Sequence, residues 1–428
     1  MEKKLKKINY LIITASGGAG NLHGARAQKQ ILEKTDPKAK VITKDFMLDW
    51  LGVIMGNFGV YAWNTAQKKG TVSLQNFLGN CQKILDIFFW PRIFFSAYQD
   101  LLRYDIDFVF HMQALGASAI LKAIRLYNRV KKKNVELKII FTDLPAKKSK
   151  HYFNPIKRLS KKDKKYLLIS SIKPPLKENQ TEKQFWEENC KISMDRVCYD
   201  PYPVRESFYK LENKKRENID YKIKINFANN FEGNLIEEIS KKGNTHFIKN
   251  ESSIEYTIKP RDFLITIILG SKPCFKAIYS YINNLIEFMK NNSIKKNIVI
   301  FPYCSAAKDP VIKKLHQMIQ KIEDFPSNLT IAAMSFQKED VVAALYFRSD
   351  LTITRSAGQT AMELTKVSKA KFFVHTECHL KVNETSNEKL LKGIPVWEAG
   401  IASFMQEKMK AELINPKSFI DVCKKYIA

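Results

Sequence analysis

No stretch of the 428-residue chain stays apolar for the roughly 20 residues that a bilayer-spanning helix needs. The longest apolar runs, such as Ile87-Phe88-Phe89-Trp90-Pro91, are soon stopped by a charge, so no transmembrane helix is expected. The seven cysteines are scattered and never spaced C-x-x-C. That disfavours a disulfide framework or a cysteine zinc site and points to a reducing compartment. Neither G-x-x-x-x-G-K-[ST] nor H-E-x-x-H occurs, which disfavours ATPase and zinc-protease chemistry. Internal repeats and low-complexity tracts are missing as well. Met1 to Lys7 has the basic start of a signal peptide, but the apolar run behind it is short and enters glycines; a strand feeding a glycine loop explains it better.

Acidic residues are in deficit, 43 against 71 basic, for a net charge of +28. Lysine-rich compositional drift supplies part of that excess. The rest is concentrated: between Ala146 and Tyr166 stand Lys147, Lys148, Lys150, Lys157, Arg158, Lys161, Lys162, Lys164 and Lys165, with Asp163 alone opposing them. Such a cluster suits an anionic surface, although solvated charge runs are common. The hydrophobic share of 45% and aromatic share of 11% are ample for packed cores, and about 100–200 residues per domain predicts two or three domains.

Ile8 to Ser16 is β-branched and apolar and ends in glycines, while Leu22 to Glu33 has helical spacing. Further strands are expected at Val41 to Thr43, Asp107 to Phe110, Leu137 to Thr142 and Tyr166 to Ser170. Alternation restarts at Phe263 to Leu269, Asn297 to Phe301, Leu329 to Ala333, Leu351 to Thr354 and Lys371 to Val374, with helical patterns between. Strands alternating with helices imply parallel βαβ units. The fold expected is therefore α/β, two Rossmann-like doubly wound domains facing a cleft, over residues 1–208 and 262–428. Residues 209–261, polar and weakly alternating, are expected to be a linker with an inserted excursion. Val72 to Leu102 is a long, aromatic, amphipathic stretch, either core-facing or an apolar wedge for a bilayer surface.

Tandem α/β domains bind ligands at the carboxyl edges of their sheets. The most informative segment on such an edge is Asp350-Leu351-Thr352-Ile353-Thr354-Arg355-Ser356-Ala357-Gly358-Gln359-Thr360-Ala361-Met362-Glu363. A strand ends at Arg355, a small-residue turn follows, and a helix begins near Gln359 with free N–H groups suited to a diphosphate. Glu363, one turn on, is placed to accept from ribose hydroxyls.

This run resembles the GT-B nucleotide-sugar transferases of the peptidoglycan N-acetylglucosaminyltransferase and monogalactosyldiacylglycerol synthase group. Their pattern D-x-x-x-x-R/K-S-G-x-x-T-x-x-E is met by Asp350, Arg355, Ser356, Thr360 and Glu363, but Ala357-Gly358 stands where Gly-Ala or Gly-Pro is usual. Gly17, Gly18, Gly20 and His23 resemble the family's G-G-x-G-H loop, with two extra residues before the histidine. Lys44-Asp45-Phe46, Tyr61-Ala62-Trp63-Asn64, Phe141-Thr142-Asp143-Leu144 and Tyr202-Pro203-Val204-Arg205-Glu206-Ser207-Phe208 resemble further family stretches. Asn387-Glu388, upstream of Trp397-Glu398-Ala399-Gly400, lies where the family contacts the donor sugar. At Gly270-Ser271-Lys272-Pro273 the family is richer in glycine, so backbone approach to a diphosphate is reduced here.

The resemblance implies an inverting hexosyltransferase that uses a UDP-sugar as donor substrate, without cofactor or metal, and acts on a lipid or lipid-linked acceptor. The expected placement is cytoplasmic and peripheral to an anionic membrane, with export left open. Inversion needs a base for the acceptor hydroxyl and stabilisation of the departing diphosphate. His23 is the first candidate base, since imidazole titrates near neutrality, and Asp143 is its alternative or its orienting partner. His111 is a weaker acceptor-side candidate. Asp105-Ile106-Asp107 is assigned no metal. The alternatives are a soluble GT-B transferase acting on a protein or small molecule, a nucleotide-sugar epimerase, and a non-catalytic binding protein on a decayed scaffold. Nucleic acid is disfavoured, because the aromatic clusters lack an RNA-binding arrangement.

Overall fold

The computed structural model describes residues 7–145, 150–305, 310–377 and 387–428. Lys147 and Lys148 lie outside the described residues, as does the side chain of Asn387.

The first half builds β1 (Asn9–Thr14), β2 (Lys40–Asp45), β3 (Phe108–His111), β4 (Leu137–Ile140), β5 (Leu167–Ser170) and β6 (Val197–Cys198). They form one parallel sheet in the order β2-β1-β3-β4-β5-β6. The chain reverses direction across the sheet between β1 and β3, and a crevice opens there at the carboxyl ends. Both faces are covered in the middle of the sheet, so β1, β3, β4 and β5 are nearly continuous runs of buried residues such as Leu11, Ile12 and Ile13, while the edge strands β2 and β6 are not.

The second half contains β7 (Tyr221–Asn226), β8 (Phe247–Lys249), β9 (Ser253–Ile258), β10 (Phe263–Ile268), β11 (Ile298–Pro302), β12 (Leu329–Ile331), β13 (Leu351–Thr354), β14 (Lys371–His375) and β15 (Glu412–Ile414). Strands β10 to β15 make a parallel sheet in the order β12-β11-β10-β13-β14-β15. Its reversal point lies between β10 and β13. Two Rossmann-like sheets facing a common cleft are the GT-B architecture anticipated from the alternation of elements.

Within residues 209–261, β7, β9 and β8 form a small antiparallel sheet. In Tyr221-Lys222-Ile223-Lys224-Ile225-Asn226 the isoleucines turn inward and the lysines outward. Ile223, Ile225, Ile236, Ile254 and Tyr256 thereby join the core that contains Ile265, Ile300 and Ile331. This sheet extends the C-terminal core instead of standing apart from it.

The connection from β2 to β3 is a stack of helices: a π-helical turn at Phe46–Trp50, then Val53–Lys68, Val72–Asn80, Gln82–Phe88 and Trp90–Tyr104. The amphipathic stretch from Val72 is thus three helices, the last with Pro91 in its first turn, where a missing N–H costs nothing. Its two readings divide by face. Ile93, Ala97 and Leu101 are buried, while Phe77 is 63% exposed, Phe88 77% and Phe95 60%. Among the described residues no helix is long and apolar enough to cross a membrane.

Candidate functional site

A cleft of about 560 Å³ runs between the two sheets. Strand ends on both sides supply its walls: Ala15 and Gly17 after β1, Gln113 after β3, Thr142 and Asp143 after β4, Gly270 and Ser271 after β10, and Arg355 and Ala357 after β13. The helix that follows β13 is Gly358–Val367, and Ala357, Gly358, Gln359 and Thr360 at its start all face the cleft. The opposite wall is apolar, made by Met47, Leu51, Met55, Phe58, Ile84 and Phe89 of the helical connection.

Two glycines bring the halves together. A Cβ on Gly358 would lie 1.9 Å from the Thr142 carbonyl oxygen, and one on Gly24 would lie 3.2 Å from the Thr142 methyl and 3.5 Å from Gln359 Oε1. The helix Ala19–Thr35 packs against Gly358–Val367, and the start of the latter lies with its backbone almost touching that of Thr142. The Thr142 carbonyl accepts from the Tyr202 hydroxyl at 2.8 Å, and the Thr142 hydroxyl lies 2.5 Å from that of Tyr152.

Buried ion pairs reinforce this closure. Arg205 donates to both oxygens of Glu363, Nε at 2.6 Å and the terminal nitrogen at 2.7 Å, with both side chains almost fully buried. Gln359 adds a third donor to Glu363 at 2.9 Å. Arg355 donates to Glu398 at 3.0 Å and to Gln75 of the first half at 3.1 Å, and Ser356 leans on the second Glu398 oxygen. Burial raises the Glu398 carboxyl, and Arg355 pulls it back down. Glu363 and Arg355, expected to meet ribose and diphosphate, are thus each committed to a protein partner, because an unpaired charge in so closed an interface would be costly. Asp350 lies at the amino end of β13, away from the cleft, holding Arg216, Arg348 and the Leu264 N–H.

His23 sits on the helix Ala19–Thr35 rather than on the glycine loop. Burial, with Arg205 and Arg26 nearby, pushes its imidazole down to about 3, so it is neutral at pH 7 and a weak base. His111 is wholly buried, its Nε2 2.8 Å from the Leu115 carbonyl and its ring beside Phe46. Burial lowers it to about 4. It is a core residue and is not among the described residues lining the cleft. Gly17 and Gly18 lie under the Trp63 ring, and Gly17, Gly18 and Gly20 line the cleft. Glu388 is exposed at the start of the helix Asn387–Lys392 and is not among the described residues lining the cleft.

The structure brings forward a histidine that the sequence reading passed over. His151, on the helix Lys150–Lys157, holds its Nε2 3.1 Å from Asp143 Oδ2. Its Nδ1 is buried without a hydrogen-bond partner among the described residues, and both residues line the cleft. With Nε2–H donated to Asp143, Nδ1 carries the lone pair. The sequence signal was a strand-end aspartate followed eight residues later by histidine in Asp143-Leu144…His151-Tyr152-Phe153. The surrounding lysines drew attention to charge instead.

Of the basic cluster, Lys150, Lys157, Arg158, Lys161, Lys162 and Lys165 are exposed. Lys164 is different: its ammonium donates to the carbonyls of Cys190 and Lys191 at 2.9 Å each and so closes a helix end. Arg158 acts on Asp86 of the helix Gln82–Phe88. Burial raises that carboxyl to about 6, and the Gly116 N–H and Arg158 oppose the rise. The basic cluster thus acts electrostatically on the helical connection through Arg158 and Asp86.

No family model matches the sequence, and no curated protein matches it. Among solved structures the chain is similar to MurG of Acinetobacter baumannii, with a TM-score of 0.45 and 12% identity over 99% of this chain and 91% of that one. It is also similar to UDP-GlcNAc 2-epimerase of Neisseria meningitidis bound to UDP-GlcNAc, at 0.40 and 12% over 98% and 99%, and to a glycosyltransferase of Rickettsia africae, at 0.39 and 14% over 94% of each chain.

Proposed function

We propose that the chain is an inverting glycosyltransferase that moves a hexosyl unit from a UDP-sugar to a hydroxyl of a lipid or lipid-linked acceptor at a membrane surface. One observation carries the reading: a single cleft joins the helix start at Ala357–Thr360 and the His151–Asp143 pair to an apolar wall at Met47, Leu51, Met55, Phe58, Ile84 and Phe89. A donor and an acceptor with a hydrocarbon chain fit the two ends of such a space.

In this reading the acceptor oxygen attacks the anomeric carbon while the bond from that carbon to the β-phosphate oxygen breaks. The acceptor proton passes to His151 Nδ1, and Asp143 stabilises the imidazolium. The bonding electrons leave with UDP, whose charge meets the N–H groups at the start of Gly358–Val367. His151 takes the role first assigned to His23, whose depressed pKa makes it a poor proton acceptor. The docking face in this reading draws on the exposed Phe77, Phe88 and Phe95 of the helical connection and on the exposed Lys157 and Arg158.

The test has two arms: release of free UDP from a panel of UDP-sugars with lipid extracts, and co-sedimentation with liposomes. Lipid-dependent UDP release and salt-sensitive pelleting on anionic vesicles are expected. Absence of UDP release with any sugar and extract would refute transfer, and equal binding to neutral vesicles would refute electrostatic docking.

A second reading, a non-catalytic binding protein on a decayed scaffold, draws on the commitment of Glu363 to Arg205 and of Arg355 to Glu398. UDP binding without turnover would favour it.

A further inference from the structure

Four of the buried polar atoms that have no hydrogen-bond partner among the described residues belong to residues of one cleft: Trp63 Nε1, Gln113 Nε2, Gln359 Oε1 and His151 Nδ1. A buried donor or acceptor left unpaired is costly, and each one in a folded protein calls for an explanation such as a bound water, ion or ligand. His151 Nδ1 is accounted for by the proton transfer above. The other three, two donors and one acceptor, are the complement of a polyhydroxylated ring.

The same region has an aromatic corner built from both halves. Trp63, on the helix Val53–Lys68, packs on Trp397 with ring centroids 5.3 Å apart, and His151 meets Trp397 edge-on at 6.3 Å. Trp397 is seated against the first half: a Cβ on Gly79 would lie 3.0 Å from its ring, and the neighbouring Val396 N–H donates to Asn76 at 3.1 Å. Flat indole surface beside a few fixed donors and acceptors is what a pyranose needs, since its C–H face is apolar and its hydroxyl rim is polar. Because Trp63 and Trp397 belong to opposite halves, the corner exists only when the cleft is closed.

We infer that Trp63 and Trp397, together with Gln113 and Gln359, form a pyranose subsite that reads the transferred hexose and is assembled by closure of the two domains. This rests on the proposed transferase reading for the identity of the donor, but not for the existence of a sugar site. The nucleotide belongs to the helix start at Gly358. The sugar belongs to the aromatic corner, so discrimination among UDP-hexoses resides at positions outside the D-x-x-x-x-R-S run.

The experiment titrates the full-length protein with UDP, UDP-glucose, UDP-galactose, UDP-N-acetylglucosamine and the corresponding methyl glycosides, reading calorimetry and tryptophan fluorescence. Trp63→Phe keeps an aromatic ring and deletes the unpaired N–H. Its UDP affinity should equal wild type, its advantage for the preferred UDP-hexose over UDP should fall roughly two- to tenfold, as for one lost hydrogen bond, and its thermal midpoint should not fall. Trp397→Leu should erase that advantage and abolish fluorescence quenching by the glycoside. An unchanged UDP-hexose advantage in both variants, or no advantage over UDP in wild type, overturns the subsite. If wild type ignores UDP but a glycoside still quenches in a Trp397-dependent way, the donor reading falls and the subsite stands. If neither UDP nor any glycoside binds, both fall.

Discussion

The Arg205–Glu363 pair separates two roles for one carboxylate. If Glu363 serves to lock the closed interface, replacing it by glutamine strands a guanidinium that is almost fully buried. Two unit charges about 4 Å apart attract by about 4 kcal/mol at an effective dielectric near 20. Breaking one side of a buried pair typically costs about 3–5 kcal/mol, because the survivor keeps its desolvation penalty. Geometry places this pair at the upper end: both bonds are short, at 2.6 and 2.7 Å. Arg205 also lies over the Phe208 ring, 5.0 Å from its centroid, so Arg205→Met retains much of the packing and removes mainly the charge. Glu363→Gln and Arg205→Met should each lower unfolding stability by about 3–5 kcal/mol in urea titrations. The double variant should recover most of that loss, for a coupling energy of several kcal/mol. UDP affinity in Glu363→Gln should change little once the protein is kept folded. Additive single costs, or a Glu363→Gln variant of wild-type stability that no longer binds UDP, would refute the lock and return Glu363 to the ribose.

Gly358→Ala should force the halves apart, because its Cβ would stand 1.9 Å from the Thr142 oxygen, whereas Gly24→Ala, at 3.2 Å from a side-chain methyl, should be milder; small-angle scattering and thermal midpoints of the two variants check the ranking. His151→Gln should lower sugar transfer roughly 10²- to 10⁴-fold, the usual worth of a general base, with UDP affinity unchanged, and Asp143→Asn should lower it by a smaller factor in the same pH–rate measurement. Acid should destabilise the fold through His23 and His111. Their folded-state values of about 3 and about 4 lie below the ordinary value near 6.5, so the unfolded chain binds protons first, and the stability they confer, complete above pH 6.5, is lost as pH falls toward 4 and 3. Asp86, raised to about 6, works in the opposite direction over the upper part of that window; a His111→Gln variant with an unaltered stability–pH slope would contradict this assignment.

Alternation of strand and helix was enough to read ten of the twelve strands of the two parallel sheets, all but the short edge strands β6 and β15, because strands covered on both faces are short continuous apolar runs set off from the longer helical patterns between them. The Asp350 to Glu363 run was legible as strand, turn and helix for the same reason. What could not be read was who meets whom across the cleft. Arg205 and Glu363 stand 158 positions apart, and no periodicity connects them. Residues 209–261 seemed peripheral because lysines occupy the outward positions of β7, while only Ile223 and Ile225 reveal the inward ones. His151 was hidden by its neighbours: eight residues with two lysines, a histidine and an internal proline make a weak helical signal, yet that helix delivers the side chain to Asp143.

The scarcity of glycine at Gly270, read as reduced backbone approach to a diphosphate, and the inverted Ala357-Gly358 order are two departures from the resembling family. The structure separates them. Gly270 adopts φ +83°, a left-handed conformation that side chains resist, and it borders Arg355 at 3.5 Å from where its Cβ would be, so its loop still turns tightly at the cleft floor. Gly358 has no positive φ to justify it. Its requirement is the Thr142 carbonyl, which leaves no space for a methyl. Glycine at 358 therefore serves the approach of one domain to the other. That approach buries Arg205 with Glu363 and seats Trp63 on Trp397, leaving the unpaired donors and acceptor in the enclosed space between. The position that breaks the family pattern is thus the one on which closure depends, and a chain restored to the usual order by exchanging Ala357 and Gly358 should close less well rather than bind diphosphate better.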